Sequence, residues 1–346
     1  MKAAVHHTHG PVDVLAIETV ADPVPGPGEV LVAVRATALN RLDVLQRAGP
    51  PVVPGFTLPH IAGTDVAGEV VGVGDGVDPA ALLRSRVLVN PALPCGRCAY
   101  CTRRPAEDRF CTDPLVVGGN RPGGYAELTV VPVTHVHPIP IGIEYTEAAA
   151  IPTTWSTAWK GLIGTGRLQA GETVVIHAAG SGVSVAAIQI AKSLGATVIA
   201  TAGRDEKLKR ALDLGADVTI NNRRDDMVAA VLDATGGDGA DMVLDHVGPA
   251  LFQASLFSLR PRGRLVFCGT TTGVDATFNL GHAFHSGLSI LGVEPFSSAE
   301  FAAVLEFYWN GDFDPVIDSV LPLADVREAQ LRMERGELFG KIILLP

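Results

Sequence analysis

The sequence contains no apolar run long enough to span a membrane, and no positively charged segment followed by an apolar one near its first residues. Basic residues are outnumbered, 27 Lys and Arg against 37 Asp and Glu, so the basic surface that nucleic acid requires is missing. Cysteine is scarce, five in 346 residues, and its distribution is unlike a secreted disulfide framework. We therefore expect a cytoplasmic protein that acts on a small molecule, with no nucleic-acid or membrane partner.

Four of the five cysteines are nevertheless concentrated in one short segment with the spacing C-x2-C-x2-C-x9-C. Four thiolates from one loop suit a closed tetrahedral zinc site, which leaves no coordination position open for chemistry. The alternative is that these four are unrelated buried cysteines. The fifth, Cys268, lies on an expected core strand, where we expect it to serve packing. We predict one structural zinc ion per chain, held by Cys95, Cys98, Cys101 and Cys111.

The first part of the chain is rich in glycine, proline and short strands with alternating polarity. In the segment 29–36, Val30, Val32 and Val34 fall on one face, as in a half-buried strand. Glycines recur among the valines of 61–74, a pattern typical of the curved or bulged strands of a small barrel. Further strands are expected at 86–90 and 125–132, so this part is predicted to be mainly β.

From about residue 141 the pattern changes to alternating strands and helices. A β-branched run at 173–177 leads into small residues and then into helically spaced Val185, Ile188 and Ala191. Small residues let the backbone approach a pyrophosphate, and the helix N-terminus favours its negative charge. We expect the turn, which departs from G-x-G-x-x-G at both ends, to bind a dinucleotide through Ala179, Gly180, Ser181, Gly182, Val183 and Ser184.

The strand–helix unit then repeats, with strands expected at 197–201, 218–220, 241–245, 264–268 and 288–292. Such spacing suits right-handed crossovers that build a parallel sheet. Ligands of such sheets bind at the carboxyl ends of the strands. Residues at those ends are therefore expected to line the cofactor: Asn222, His246, Gly269 and Thr270.

The end of the second strand indicates which nicotinamide cofactor is used. An acidic residue there would favour NAD, but the strand ends in Gly203 followed by Arg204. The room at glycine and the charge of Arg204, helped by Lys207, suit a 2′-phosphate. Asp205 follows directly and is expected to cap the next helix, so it is only a mild counter-signal. We predict NADPH.

Taken in order, these segments resemble the medium-chain dehydrogenase/reductase superfamily over essentially the whole chain. The similarity lies in MKAAV, PGPGEVLVAVRATALNRLD, GTDVAGEVVGVG, the four-cysteine segment, GGYAEL, HAAGSGVS and FGKIIL. The HAAGSGV turn and the Asn40–Asp43 pair look most like the quinone oxidoreductase and enoyl reductase branches. The resemblance implies an α/β protein: a GroES-like β-barrel catalytic domain plus a Rossmann domain with a doubly wound parallel sheet.

The expected domains are a catalytic domain at 1–140 with its zinc lobe at 95–111, and an NADP-binding domain at 141–293. The segment 294–346 is expected to return to the catalytic domain, because the terminal GKIILL strand would otherwise lie unpaired. Family resemblance implies a homodimer or homotetramer, with the strand near 288–293 as a candidate contact.

In the alcohol dehydrogenase branch a catalytic zinc ion is held by cysteine, histidine and acidic side chains. At the matching positions this chain has Asn40, then Thr64 and Asp65, then Thr153. Asn and Thr are poor zinc ligands, so the resemblance implies a site without catalytic zinc. These four residues and Asp43 are the predicted catalytic residues. Alternatively, Asn40 and Asp43 form only a turn between strand and helix, and Asp65 lies behind the site.

A site without a Lewis acid must reduce a substrate that accepts hydride through its own conjugation. We expect hydride transfer from NADPH to a quinone or a conjugated carbonyl compound. Two alternatives remain open: a zinc-dependent alcohol dehydrogenase or carbonyl reductase, and an NADPH-binding sensor or structural protein with little turnover.

Overall fold

The computed structural model describes the backbone of all 346 residues and every side chain except those of residues 105 and 106. The chain forms two compact units. One combines Met1–Thr153 with Phe296–Pro346, and the other is Thr154–Pro295. The domain boundaries expected from the sequence, after residues 140 and 293, remain predictions.

The first segment is mainly β, as its alternating pattern indicates. Val30 and Val32 of the long third strand are fully buried, and Val34 is nearly so. Register shifts where this strand pairs with the strand at 65–73 give the sheet its irregular course. The elements are β1 (Lys2–His6), β2 (Leu15–Thr19), β3 (Glu29–Ala38), α1 (Arg41–Ala48), β4 (His60–Ile61), β5 (Asp65–Val73), α2 (Pro79–Leu82), β6 (Arg86–Val89), β7 (Ala92–Leu93), α3 (Ala99–Arg103), β8 (Leu115–Val116), β9 (Leu128–Pro132), β10 (Val136–Pro138) and α4 (Tyr145–Ala149).

The second segment alternates strand and helix after α5 (Pro152–Trp159) and a short π-helix, Lys160–Thr165. Its elements are β11 (Thr173–Ile176), α6 (Gly182–Ser193), β12 (Thr197–Ala202), α7 (Asp205–Asp213), β13 (Val218–Asn221), α8 (Met227–Ala234), β14 (Ala240–Asp245), α9 (Pro249–Phe257), β15 (Leu259–Phe267), α10 (Leu280–His285) and β16 (Ser289–Gly292). The strands form one parallel sheet in the order β13-β12-β11-β14-β15-β16. This is the doubly wound Rossmann order, with the switch point beside β11.

The last segment belongs to the first unit. It consists of α11 (Ser298–Asn310), β17 (Ile317–Pro322), α12 (Val326–Glu334) and β18 (Lys341–Leu345). Strand β18 pairs in parallel with β17 and antiparallel with β3. It thereby joins the larger sheet, ordered β10-β6-β5-β3-β18-β17, with β9 also on β3. Ile342, Ile343 and Leu344 are fully buried, so this strand is part of the core.

Among the residues whose structure is described, no helix combines the length and the apolar character needed to cross a membrane.

Candidate functional site

Asn40 and Asp43 lie where β3 gives way to α1. Asn40 is the N-cap residue of α1, and its backbone N–H donates to Asp43 Oδ2 at 2.8 Å. This reciprocal capping satisfies a donor that the helix itself leaves unpaired. Asn40 is 6% exposed and Asp43 is fully buried. The local pattern thus fixes the backbone of both predicted residues.

Asp43 is the anchor of a buried hydrogen-bond network. Its Oδ1 accepts from Gly63 N–H at 3.1 Å and lies 3.5 Å from Thr64 Oγ1, while its Oδ2 accepts from the Tyr125 hydroxyl at 3.0 Å. Burial raises the pKa of Asp43 to about 6, against the lowering effect of its N–H and hydroxyl donors. Burial and the adjacent Asp43 carboxylate raise the pKa of Tyr125 above its ordinary range. Asp43 therefore positions the turn that carries Thr64.

Asp65 has partners at both of its oxygens. Oδ1 accepts from Thr153 N–H at 3.0 Å and from the Thr153 hydroxyl at 2.5 Å. Oδ2 lies 3.1 Å from Lys341 Nζ in an ion pair whose side chains are 0% and 3% exposed. The same ammonium group donates to Asn40 Oδ1 at 2.8 Å. Lys341 thus connects the predicted residues at 40, 65 and 153.

All five predicted catalytic residues therefore fall within one continuous hydrogen-bonded network in the first unit. Two members of the network, Tyr125 and Lys341, were not predicted from the sequence. Tyr125 lies in the GGYAEL segment, and Lys341 is the third residue of the FGKIIL segment and the first of β18. A lysine that opens an otherwise apolar, buried strand was the available signal, because buried lysine needs an acidic partner.

The donor set at this network does not fit a zinc ion. Asn40 Oδ1 and Asp65 Oδ2, two of the oxygens that would face a metal, already bind the Lys341 ammonium. A zinc ion here would lie beside a buried positive charge that it repels. None of the four matching positions, 40, 64, 65 and 153, supplies a thiolate or an imidazole, the ligands zinc prefers with carboxylate.

The four clustered cysteines do fit a zinc ion. Their sulfur atoms all lie within 4.8 Å of one another, with Cys98 Sγ 3.5 Å from Cys101 Sγ and 4.0 Å from Cys111 Sγ. Tetrahedral zinc thiolates have sulfur atoms about 3.8 Å apart. Backbone N–H groups of Cys95 and Asp113 point at Cys111 Sγ, at 3.2 and 3.4 Å. The chain thus brings Cys111 to the other three across the long gap.

The small-residue turn of the second unit links β11 to α6. The Ser181 hydroxyl caps the helix by accepting from Val183 N–H at 3.3 Å, and Ala178 before the turn has a left-handed φ of 50°. Ala179, Gly180 and Gly182 complete the turn without bulky side chains. The first N–H groups of such a helix lack intrahelical partners and favour a phosphate group.

Ser184 occupies the last position of the turn pattern, where glycine usually allows close packing of helix and strand. It is fully buried, and its hydroxyl donates to the His177 carbonyl at 2.6 Å. Its Oγ also lies 2.7 Å from His246 Nε2. Burial lowers the pKa of His246. The serine therefore replaces close backbone contact with a hydrogen-bonded link to the end of β14.

At the end of β12 the structure adds an arginine that the sequence analysis did not single out. A Cβ at Gly203 would lie 2.6 Å from Arg223 Nε, so this guanidinium packs directly on the glycine. Arg204 follows, 3.6 Å from Glu206, and Lys207 lies half-buried on α7. Because β12 and β13 are neighbouring parallel strands, the loop at 222–224 after β13 lies beside the end of β12.

The Asp205 carboxylate binds residues of β13 and of the loop that follows it, and Asp205 is not the N-cap of α7. Arg204 is the N-cap residue of α7, which corrects the expectation that Asp205 caps this helix. Asp205 instead accepts from Asn221 Nδ2 at 2.7 Å and from Arg224 at 3.1 Å. These two donors lower the pKa of Asp205. Its carboxylate is therefore committed to neighbouring loops rather than presented alone at the strand end.

The remaining predicted cofactor residues also lie at strand ends of this sheet. Asn222 N–H donates to the Ala202 carbonyl at 3.1 Å, which joins the ends of β13 and β12. A Cβ at Gly269 would lie 2.7 Å from the His246 carbonyl, so the loops after β14 and β15 touch, and Thr270 lies in the second of them. The second unit thus carries every predicted cofactor residue at or beside the carboxyl edge of its sheet.

Both parts of the chain match known protein families. The alcohol dehydrogenase GroES-like domain profile matches residues 26–141, and the zinc-binding dehydrogenase profile matches residues 182–310. The quinone oxidoreductase of Pseudomonas aeruginosa is 31% identical, over 93% of this chain and 92% of its own. The acryloyl-coenzyme A reductase of Sulfurisphaera tokodaii is 28% identical over the full length of both chains. A solved structure of an NAD-dependent alcohol dehydrogenase is 41% identical with a TM-score of 0.94, covering all of both chains.

The GroES-like and parallel-sheet parts, together with these similarities, define an oxidoreductase that uses a nicotinamide cofactor. The chain belongs to the medium-chain dehydrogenase/reductase superfamily, as its motifs indicated. Its relatives metabolise small molecules.

Proposed function

We propose that the protein is an NADPH-dependent reductase of quinones or conjugated carbonyl compounds, and that its reaction uses no catalytic zinc. The observation that carries this proposal is the Lys341 ammonium, bound to Asn40 and Asp65 where the alcohol dehydrogenase branch would hold its metal. The similarity to relatives named quinone oxidoreductase and acryloyl-coenzyme A reductase supports the proposed substrate class.

Conjugated acceptors need no Lewis acid because their own π system disperses the incoming charge. Hydride carries two electrons from the nicotinamide to the β-carbon of an enone, a C–H bond forms there, and the π electrons move toward the carbonyl oxygen. The enolate then takes a proton from solvent at its α-carbon. With a quinone the product is the hydroquinone, again after protonation by solvent.

Asn40 is the proposed hydrogen-bond donor to that oxygen. Its Nδ2 has one long contact, 3.4 Å to the Ala38 carbonyl, so the second N–H is available. A donor aimed at developing negative charge stabilises the transition state more than the substrate. Thr64 is the second candidate donor, whereas the Thr153 hydroxyl donates to Asp65. Asp43 and Asp65 act by positioning these groups.

For the cofactor, we propose that Gly203, Arg204, Lys207 and the added Arg223 bind the 2′-phosphate of NADPH. The engagement of Asp205 by Asn221 and Arg224 supports this assignment, because a carboxylate so placed is a poor acceptor for a ribose hydroxyl. The similar alcohol dehydrogenase is named as NAD-dependent, which makes NADH the competing assignment.

The four-cysteine segment is proposed to hold one structural zinc ion. Its ligands would be Cys95, Cys98, Cys101 and Cys111, and four protein ligands leave no position for substrate. Self-association as a homodimer or homotetramer is also proposed, with β16 at the sheet edge as a candidate contact.

The competing function is zinc-dependent alcohol or carbonyl chemistry, which the similar alcohol dehydrogenase structure favours. Product analysis separates the two. NADPH carrying deuterium at both C4 positions is incubated with an α,β-unsaturated ketone and the protein, and the product is identified by mass spectrometry and NMR. The proposal predicts a saturated ketone labelled at its β-carbon. An allylic alcohol labelled at its carbinol carbon would contradict it, as would tight NADPH binding without turnover of any enone or quinone.

A further inference from the structure

Lys341 is buried at the start of β18, and its three N–H donors can be accounted for completely. They face the Leu39 carbonyl at 2.7 Å, Asn40 Oδ1 at 2.8 Å and Asp65 Oδ2 at 3.1 Å. An ammonium group has three donors and no acceptor. All three donors are therefore used within the protein, and none is left to protonate a substrate.

This arrangement fixes which way the Asn40 carboxamide faces. The oxygen and nitrogen of an amide are easily exchanged by rotation, but an ammonium group can only donate. The carbonyl side of Asn40 must therefore face Lys341, and Nδ2 must face away from it. The 3.4 Å contact from Nδ2 to the Ala38 carbonyl is too long to determine the orientation by itself, and the capping interaction with the Asp43 N–H also uses the carbonyl side of Asn40.

We infer that Lys341 is a positioning residue for the reaction: its ammonium group holds the Asn40 carboxamide with an N–H presented to the substrate oxygen. It does so while neutralising Asp65. The charge that a metal supplies in related enzymes is thus replaced by a lysine that organises the donor and does not touch the substrate. The catalytic part of this inference rests on the proposed function, but the orientation of Asn40 does not.

A purely structural role as counter-ion to Asp65 is the competing explanation. Removal of Lys341 alone would leave a buried, unpaired carboxylate, which is strongly destabilising. The test therefore uses the double variant Lys341→Met/Asp65→Asn, which removes the ammonium group and the carboxylate together and strands neither charge. Asp65→Asn alone would leave the buried ammonium group without its carboxylate, so the wild-type protein is the reference, and urea unfolding monitors stability.

The kinetic test measures kcat and KM for a quinone in four proteins. These are the wild type and Lys341→Met/Asp65→Asn, each with Asn40 and with Asn40→Ala. We expect the double substitution to lower kcat about tenfold when Asn40 is present, with the quinone KM changed less than about twofold, as for loss of a transition-state donor. With Asn40→Ala the same substitution should change kcat less than about twofold, because no amide remains to be oriented. Equal losses in both backgrounds, or no loss in either, would overturn the inference.

An NMR measurement makes the test independent of turnover. The two side-chain N–H signals of Asn40, assigned by their absence in Asn40→Ala, should lie away from the shifts of an unstructured asparagine in the wild-type protein. In Lys341→Met/Asp65→Asn both signals should move toward those shifts as the carboxamide loses its fixed orientation. Unchanged signals would overturn the inference even if the enzyme is active. The expected change of the signals in a protein that reduces no quinone or enone would instead show that the proposed function has failed while the orientation stands.

Discussion

Asp43 illustrates how a single buried carboxyl group organises the candidate site. It accepts hydrogen bonds from the N–H groups of Asn40 and Gly63 and from the Tyr125 hydroxyl. Burial nevertheless dominates and raises its pKa from an ordinary value of 3.8 to about 6. The same residue therefore holds the turn together and is expected to make stability depend on pH.

The sign of this dependence follows from the direction of the shift. Because the folded pKa is the higher one, the folded state keeps the proton over the interval between 3.8 and about 6. The raised pKa of Asp43 contributes its full amount to the free energy of unfolding below that interval. This contribution is lost as pH rises through the interval. Relative to Asp43→Asn, the wild-type protein should lose of the order of 3 kcal/mol across the interval, measured by urea unfolding. Asp275→Asn, at an exposed position, is the control, and parallel pH profiles for wild type and Asp43→Asn would contradict the assignment.

Among the elements, the turn between β4 and β5 shows why this site needs glycine. Gly63 has a φ of 101°, and a Cβ there would lie 2.5 Å from Tyr125 Cδ1 and 2.6 Å from Tyr125 N. No larger residue fits without moving Tyr125 away from Asp43. The close approach delivers the Gly63 N–H to Asp43 and places Thr64 and Asp65 at the start of β5.

The adjacent ends of β12 and β13 form the element that should determine cofactor choice. Arg223→Ala and Arg204→Ala should each raise KM for NADPH at least about tenfold, since each loses a charge-assisted bond to phosphate. KM for NADH should change less than about twofold, because NADH has no 2′-phosphate. Arg262→Ala is the matched control, as this exposed arginine lies in the first half of β15, away from the strand ends. Equal effects on both cofactors would reject the assignment.

Local sequence patterns predicted the helices and strands well, because these elements depend on short-range alternation of buried and exposed residues. Alternation in β3 and the strand–turn–helix order around β11 are short-range consequences of which faces are buried, so they can be read from neighbouring residues. The Lys341–Asp65 pair joins residues 276 positions apart, and the packing of Arg223 on Gly203 joins two loops. Neither contact leaves a periodic signal. The sequence therefore predicted where the site residues lie but not which charge balances them.

For the whole molecule, the two units carry different parts of the proposed chemistry. The unit of Met1–Thr153 with Phe296–Pro346 carries the Asn40–Asp65–Lys341 network and the four cysteines. The unit Thr154–Pro295 carries the parallel sheet and the proposed cofactor residues. Membership of the superfamily was predicted from motifs spread over both units and is confirmed by the comparisons. Relatives in the superfamily are named for different substrates, and the proposed absence of a catalytic zinc ion separates the proposed reaction from zinc-dependent alcohol dehydrogenation.

Zinc content and turnover measured on one protein sample therefore test the central claim most directly. We predict one zinc equivalent per chain for the wild-type protein, together with NADPH-dependent reduction of an enone to the saturated ketone. Asn40→Ala should keep that single equivalent, whereas Cys98→Ser should lose it, because the metal belongs to the cysteine segment. Two equivalents per chain, with the second removed by Asn40→Ala or by chelation together with activity, would contradict the account.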